Sequence, residues 1–387
     1  MRPTRAAEKR FFYGWWIVLA SFVLQVYIGG AFFYSFTAFF EPIVNEFHWS
    51  YLAVSLAASL RSVEMGFASP IMGFMADRWG PRRLILSGVL ITSVGFWMLS
   101  RTSSLATFYG SFIILAVGTS AFSSPVLMTA VANWFHQKVG RAMGLMSAGF
   151  GASGALVPVV VWLIDSYGWR TTMVVLGAGL LAIGTPASLV FRHRPEHYGL
   201  LPDGQAAPHP LEAGASPEAR PAYEEAPAIG REFTTREALR TRAFWLITLA
   251  GAVQTLVVGA ILVHVMPYLS SIGVARHQAA LVAMLIPLTS IVGRLSMGPL
   301  GDIVDKRAIL AVTMALQSAG ILLFAHAQTP WLLIPFLAVY GPGYGGFIPL
   351  RATIQREYFG RRAFGTIQGL MMGLMTVGHI IGPSLAG

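Results

Sequence analysis

No cysteine occurs among the 387 residues, so neither a disulfide nor a thiolate-held metal is open to this chain, and its redox compartment cannot be read from cysteine usage. Charge is scarce as well: Asp, Glu, Lys and Arg make up 11% of the chain, against 55% for hydrophobic residues. Soluble domains carry about 25% charged and about 45–50% apolar residues, and this composition lies well outside that range. The nine histidines are scattered without ligand spacing, so no metal site is expected. No Gly-rich loop ending in Lys-Ser or Lys-Thr is present, which argues against an ATP-driven pump. Neither a cofactor nor an enzymatic activity is expected.

What the chain does have is apolar runs of about 20 residues, each able to cross a hydrocarbon core of about 30 Å as a helix. Spans are expected near 12–38, 50–75, 84–101, 105–133, 142–164, 170–191, 243–269, 277–300, 308–326, 331–357 and 363–387, about eleven in an all-α polytopic membrane protein. With those spans, 21 Lys and Arg residues fall on one side and only Arg101, Arg170 and Arg276 on the other. That split places the N-terminus, with Arg2, Arg5, Lys9 and Arg10, in the cytoplasm; the expected location is a cell inner membrane, crossed many times. The net charge of +10 is therefore topology, and no nucleic-acid partner is expected; the partner is the lipid bilayer.

One loop is written twice. Gly73-Phe74-Met75-Ala76-Asp77-Arg78-Trp79-Gly80-Pro81-Arg82-Arg83 returns 225 residues later as Gly298-Pro299-Leu300-Gly301-Asp302-Ile303-Val304-Asp305-Lys306-Arg307. Trp134-Phe135 and Arg141-Ala142-Met143-Gly144 have partners in Tyr358-Phe359 and Arg362-Ala363-Phe364-Gly365. The chain thus divides into a six-helix bundle over 1–191, a linker over 192–241, and a second bundle over 242–387. The linker is rich in Pro, Ala, Gly and Glu and reads as largely disordered, with Thr234-Thr235-Arg236-Glu237 as a capping box opening a short helix. The second bundle is expected to have about five helices, one short of the repeat, with the last helix missing from this chain. Gly144, Ala148, Gly151 and Ala155 share one face of the fifth span, a pattern that lets membrane helices approach closely.

These loops resemble the cytoplasmic signature of the major facilitator superfamily, between its second and third and its eighth and ninth helices. More narrowly, Tyr13-Gly14-Trp15-Trp16, Phe40-Glu41-Pro42, Glu46-Phe47-His48-Trp49-Ser50, Arg192-His193-Arg194-Pro195-Glu196 and Pro202-Asp203-Gly204 resemble bacterial members of the monocarboxylate transporter group, relatives of the oxalate:formate antiporters. That resemblance implies two six-helix repeats moving small organic acid anions, commonly with a proton. It also implies a gating role for Asp77, Arg78, Arg82 and Asp302, whose carboxylates can pair with Arg or accept from exposed helix N-terminal amides. Ile303 stands where the first copy has Arg78, which weakens the second half of such a latch.

Few ionisable residues fall inside the spans, and such residues normally face the bundle interior or a water-filled cavity. Arg294 lies eight residues before Asp302, about 12 Å along the helix. A guanidinium there can hold a carboxylate by two parallel hydrogen bonds, or it can snorkel or pair for structure. The run around it is similar to the eighth-helix arginine segment of monocarboxylate transporters, where the arginine binds the substrate carboxylate. Two departures stand out: Ser290 replaces the aspartate that animal members carry one turn earlier, and Tyr34 stands in place of their first-helix lysine. Tyr34 is a hydrogen-bond donor candidate or a packing aromatic. Arg61 and Glu64, three apart, form either a structural pair or a site in which Glu64 takes the proton and frees Arg61 for the anion. His264 is a candidate for substrate contact or proton exchange, or a hydrogen-bonded structural histidine. Arg351 is expected to snorkel to the inner surface, and His379 is read as a lone histidine on an apolar face.

The expected function is secondary active transport of small organic acid anions by alternating access, with a proton or counter-anion as coupled partner and the chain acting as a monomer. Anion exchange, or a drug or sugar facilitator of the same fold, remains open, as does a membrane sensor that binds an anion without moving it.

Overall fold

The computed structural model describes residues 12–204, 232–327 and 330–386, and among them every regular element is helical. A bilayer offers the backbone no hydrogen-bond partner, so each crossing must satisfy its own amides, as helices do. Among the described residues nine stretches are long and apolar enough to cross a membrane. One of them, Val139–Val190, is 52 residues long, roughly 78 Å of helix, and turns at Gly168 with φ +78°, so it holds two crossings, the fifth and sixth spans. The second span, Tyr51–Trp79, is a 29-residue helix outside the nine; it carries Arg61, Glu64, Asp77 and Arg78. With these, the described residues make eleven crossings of a polytopic membrane protein.

The others are the first (Gly14–Phe47), third (Pro81–Ser100), fourth (Leu105–Trp134), seventh (Arg242–Ser271), eighth (Arg276–Gly301), ninth (Lys306–Ala325), tenth (Leu333–Phe359) and eleventh (Phe364–Ala386). The first runs nine residues beyond its expected end at 38. It passes through a π-helical stretch at Gly29–Tyr34 and a 3-10 stretch at Ser35–Phe39. There Gly29 and Gly30 lie against Ser153 and Leu156, in a 3-10 stretch of the fifth span (Ser153–Leu156), so both helices depart from α geometry where they touch.

Helix ends follow local chemistry. Ser50 Oγ accepts from the Ala53 amide, Ser104 and Thr107 form a capping box, and Thr234 and Glu237 form the expected one ahead of the short helix Thr235–Leu239. Gly80 has φ +82° and joins the second span to Pro81 in one residue, a turn an L side chain resists. Residues 192–204, within the expected linker, lie against the fourth and fifth spans near the repeated loops: Trp134 Nε1 donates to the Arg192 carbonyl at 3.0 Å, and the Lys138 amide to Asp203 at 3.2 Å. Residues 205–231, where the linker was read as disordered, lie outside the described residues.

One large buried cluster gathers side chains from Ile17 to Phe191 with only Ala352 and Phe364 joining it, and a second runs from Val258 to Tyr344. Between them run two seams of close backbone contact. The fifth span meets the eighth through Gly140 on Gly298 and Gly144 on the Arg294 carbonyl. The eleventh meets the second through Gly365 on Gly73 and Gly369 on the Ser69 carbonyl. Every residue in the first seam has its counterpart 225 positions away in the second. The small-residue face at Gly144, Ala148 and Gly151 is therefore a helix–helix contact, with Gly151 on Ile291 and Pro287.

A Cβ on Gly144 would collide with the Arg294 carbonyl, whereas one on Gly154 would meet nothing within 4 Å. Gly144→Val is expected to cost about 1–3 kcal/mol and lower the thermal midpoint of the detergent-purified protein, with Gly154→Ala unchanged within error. Equal midpoints for both variants would refute the seam.

Candidate functional site

Arg294 is 1% exposed, held in the eighth span between the two halves, seven residues before the end of that helix at Gly301. Its Nη1 donates to the Ser147 carbonyl of the fifth span at 2.6 Å, and its Nε to Ser290 Oγ, one turn earlier on its own helix, at 3.3 Å. The guanidinium carbon stands 5.6 Å from the centre of the Tyr344 ring, a cation–π arrangement that orients the plane of the group. Its Nη2 is buried with no hydrogen-bond partner among the described residues, and no carboxylate there forms an ion pair with it. Tyr34, at the end of the π-helical stretch, lies within electrostatic reach of Arg294 and Tyr344, and its ring packs on Phe33 and Phe150. The structure therefore gathers Tyr34, Arg294, Ser290, Ser147 and Tyr344. Ser147 enters through its backbone carbonyl, which no side-chain pattern announces, and Tyr344 sits in a Gly-rich run that reads as packing.

The other candidates stand elsewhere. Both oxygens of Glu64 accept from Ser120 Oγ of the fourth span, at 2.9 and 3.1 Å. The side chain of Arg61 lies outside the described residues, so the pairing of Arg61 with Glu64 has no geometry here. His264 Nε2 is 2.9 Å from the Pro383 carbonyl; since a carbonyl only accepts, that nitrogen carries a proton. Arg351, expected to snorkel, is instead 4% exposed and turned toward the eleventh span, where Gln368 and Met372 receive it.

At the end of the bundle carrying the repeated loops, the two aspartates cross from one half to the other. Asp77 Oδ1 accepts from the Gly365 amide at 2.9 Å and Oδ2 from the Thr366 amide at 2.7 Å and the Thr366 hydroxyl at 2.8 Å. Asp302 Oδ1 accepts from the Gly140 amide at 2.6 Å and Oδ2 from the Arg141 amide at 2.9 Å. Each carboxylate thus caps the N-terminus of a span in the opposite half, where unpaired amides and the helix dipole favour an anion. Burial pushes the Asp302 carboxyl up from its ordinary range, while the Arg141 and Gly140 amides and the Arg141 guanidinium oppose that rise. Arg78 and Arg82 are exposed; Arg78 lies 6.0 Å from the Phe74 ring. Among the described residues neither is in ion-pair contact with an aspartate of the latch. Asp203 and Glu232 add second carboxylates to the same two turns, on the amides of His136, Gln137 and Lys138 and of Arg361 and Arg362. Glu196 forms an ion pair with Arg361 of the other half.

The gating role expected of Asp77 and Asp302 is measurable, and the absence of native cysteine supplies the background for it. With Met128→Cys as a reporter buried where the fourth span meets Gln368 of the eleventh, Asp77→Asn or Asp302→Asn should speed labelling by a membrane-impermeant maleimide from this end by about fivefold or more. Unchanged rates in both variants would remove the latch role.

His193 packs on Gly80 beside this cluster. Burial, with Arg194 and His197 next to it, pulls its imidazole from 6.5 down to about 4, with Glu196 opposing. The fold accepts the neutral ring, so stability falls as pH drops from about 6.5 towards 4. His193→Gln should therefore lose less of its thermal midpoint between neutral pH and about pH 5 than the wild type does; an equal loss would count against this account.

Residues 21–383 match the Major Facilitator Superfamily, and the chain belongs to it. It is a multi-pass membrane protein of a transporter superfamily. Within that class its relatives are monocarboxylate transporters. Monocarboxylate transporter 13 of Bos taurus is 24% identical over 381 residues, covering 97% of this chain and 82% of that protein. Monocarboxylate transporter 11 of Homo sapiens is 27% identical over 401 residues, covering 100% and 79%. The crystal structure of the human organic anion transporter MFSD10 (TETRAN) superposes with a TM-score of 0.63 at 15% identity, covering 97% of this chain and 91% of that one, a likeness of fold.

Proposed function

We propose that this protein is a secondary transporter of small organic acid anions, in which Arg294 binds the substrate carboxylate and Tyr34 donates to it from the first half. The observation that carries the reading is the buried Nη2 of Arg294, a charged donor with no acceptor among the described residues, in a site lined by two tyrosines and a serine. A carboxylate supplies the missing acceptor and the missing countercharge together, and it does so with the bidentate geometry a guanidinium favours. The names of the relatives point to the same substrate class.

The moving bodies are the bundles over 1–191 and 242–387, rocking about the two glycine seams, with Asp77 and Asp302 latching the cytoplasmic side. The N-terminus lies in the cytoplasm. Glu64 is the proton acceptor: its carboxylate sits inside a span with a single hydroxyl partner among the described residues, an arrangement that leaves room for a proton. His264, held by the Pro383 carbonyl, has a supporting role at the other end.

Uptake of labelled lactate, pyruvate, formate and oxalate into proteoliposomes, with and without a pH gradient, tests this. Arg294→Ala should lose about 30-fold or more in kcat/KM, the loss of a buried charge partner worth about 2 kcal/mol or more. Glu64→Gln should retain carboxylate exchange and lose stimulation by the pH gradient. Uptake that survives Arg294→Ala sinks the site, and anion binding without uptake by the wild type would make the protein a sensor.

A further inference from the structure

Arg351 is a second guanidinium buried inside the spans, and nothing above uses it. It lies on the tenth span seven residues beyond Tyr344, the ring that faces Arg294, which places it about 10 Å nearer the repeated-loop end. Its neighbour Leu350 packs on Gly301, one residue before the Asp302 latch, so Arg351 sits in the layer that the latch closes.

Its side-chain partners are neutral. Nη1 donates to Gln368 Oε1 at 3.4 Å and Nη2 to the Met372 sulfur at 3.3 Å. Gln368 donates in turn to the Met128 sulfur, at 3.2 Å, across the boundary between the halves. A guanidinium offers five N–H donors, and a neutral amide and a thioether are few and weak acceptors for them. Among the described residues no carboxylate forms an ion pair with it. Arg170 shows what an arginine held for structure looks like in this chain: it donates to Glu46 and to the Ser100 and Thr102 carbonyls. Met372, which receives Arg351, and Met128, which receives Gln368, are unbranched side chains that repack at small cost.

We propose that Arg351 is a second carboxylate station on the transport path, one that takes the anion from Arg294 when the Asp77 and Asp302 latches release and the halves part at Met128. The proposal rests on the carboxylate reading of Arg294. The two stations work in turn, because even oxalate, two carbons long, cannot bridge about 10 Å. Arg351 therefore governs apparent affinity on the repeated-loop face and leaves the opposite face to Arg294.

Sided kinetics in oriented proteoliposomes, with lactate, pyruvate, formate and oxalate each as probe, test this. Arg351→Gln should raise KM on the repeated-loop face by about tenfold or more, with KM on the opposite face within about twofold, and Arg351→Lys should recover most of the loss. A structural role would shift both faces together or lower the amount of folded protein without moving KM, and either result overturns the station, as does an unchanged KM on both faces. The wild type supplies a second test that needs no variant. Phenylglyoxal applied from the repeated-loop face should modify Arg351, and the transported probe should protect it; modification without protection overturns the proposal. If the wild type moves none of the four probes, the carboxylate reading itself fails. If Arg294→Ala abolishes uptake while Arg351→Gln changes neither face, only the second station fails.

Discussion

The contact on which the rest of the arrangement depends is a carboxylate from one half set on the first amides of a helix in the other. Asp302 on Gly140 and Arg141, and Asp77 on Gly365 and Thr366, hold the ends of the two glycine seams in register. From there each seam continues one turn deeper, Gly144 on the Arg294 carbonyl and Gly369 on that of Ser69. Hydrogen bonds to charged groups are worth about 1.5–3 kcal/mol each in a net sense, and here both partners can exchange one another for water at the membrane surface. Moving a two-state equilibrium from 1:99 to 99:1 takes about 5.5 kcal/mol, which is within reach of two such caps together. On the proposed gating role, two such caps are strong enough to choose a state and weak enough to be released.

Within this symmetric frame the chemistry is one-sided. Arg294 and Ser69 occupy equivalent places 225 residues apart, and each presents its backbone carbonyl to a glycine of the partner span. Their side chains differ completely: Ser69 Oγ turns back to the Met65 carbonyl at 2.6 Å, while Arg294 reaches into the space between the halves. The seam fixes the backbone at Arg294 and leaves its side chain as the variable part. The distortion of the first span does the same for Tyr34, since a π-helical stretch rotates the residues that follow it relative to a continuous α-helix.

The duplicated loop, the number of crossings and the superfamily were legible because each rests on a one-dimensional regularity, an offset of 225 or an apolar run of fixed length. What required the structure was direction around a helix axis. Arg351 has a depth that suggests snorkelling, but its face of the helix meets the eleventh span rather than the membrane surface. Arg78 and Arg82 share a motif with Asp77 yet point outward, because the helix amides of Gly365 and Thr366, not a guanidinium, satisfy the carboxylate. The composition of the linker averaged over Asp203, whose carboxylate is fixed by three consecutive amides. The first span outran its expected end because a switch from α to π geometry leaves no mark on hydropathy.

An uncompensated buried cation also constrains the cycle. On the carboxylate reading, the loaded site is an ion pair without net charge, whereas the unloaded site carries a guanidinium that burial penalises by about 2.5–3.5 kcal/mol on insertion scales. Reorientation with the site empty then carries a charge through the constriction, and reorientation with the anion bound does not. A carrier built this way returns faster loaded than empty, which favours exchange of one anion for another. Net movement requires a compensating charge change elsewhere, and Glu64, with Ser120 Oγ on both carboxylate oxygens, is an acid inside a span that can supply it by taking or losing a proton. On the proposed reading, coupling turns on where the charge opposing Arg294 comes from in each half of the cycle, the substrate in one and the proton balance of Glu64 in the other.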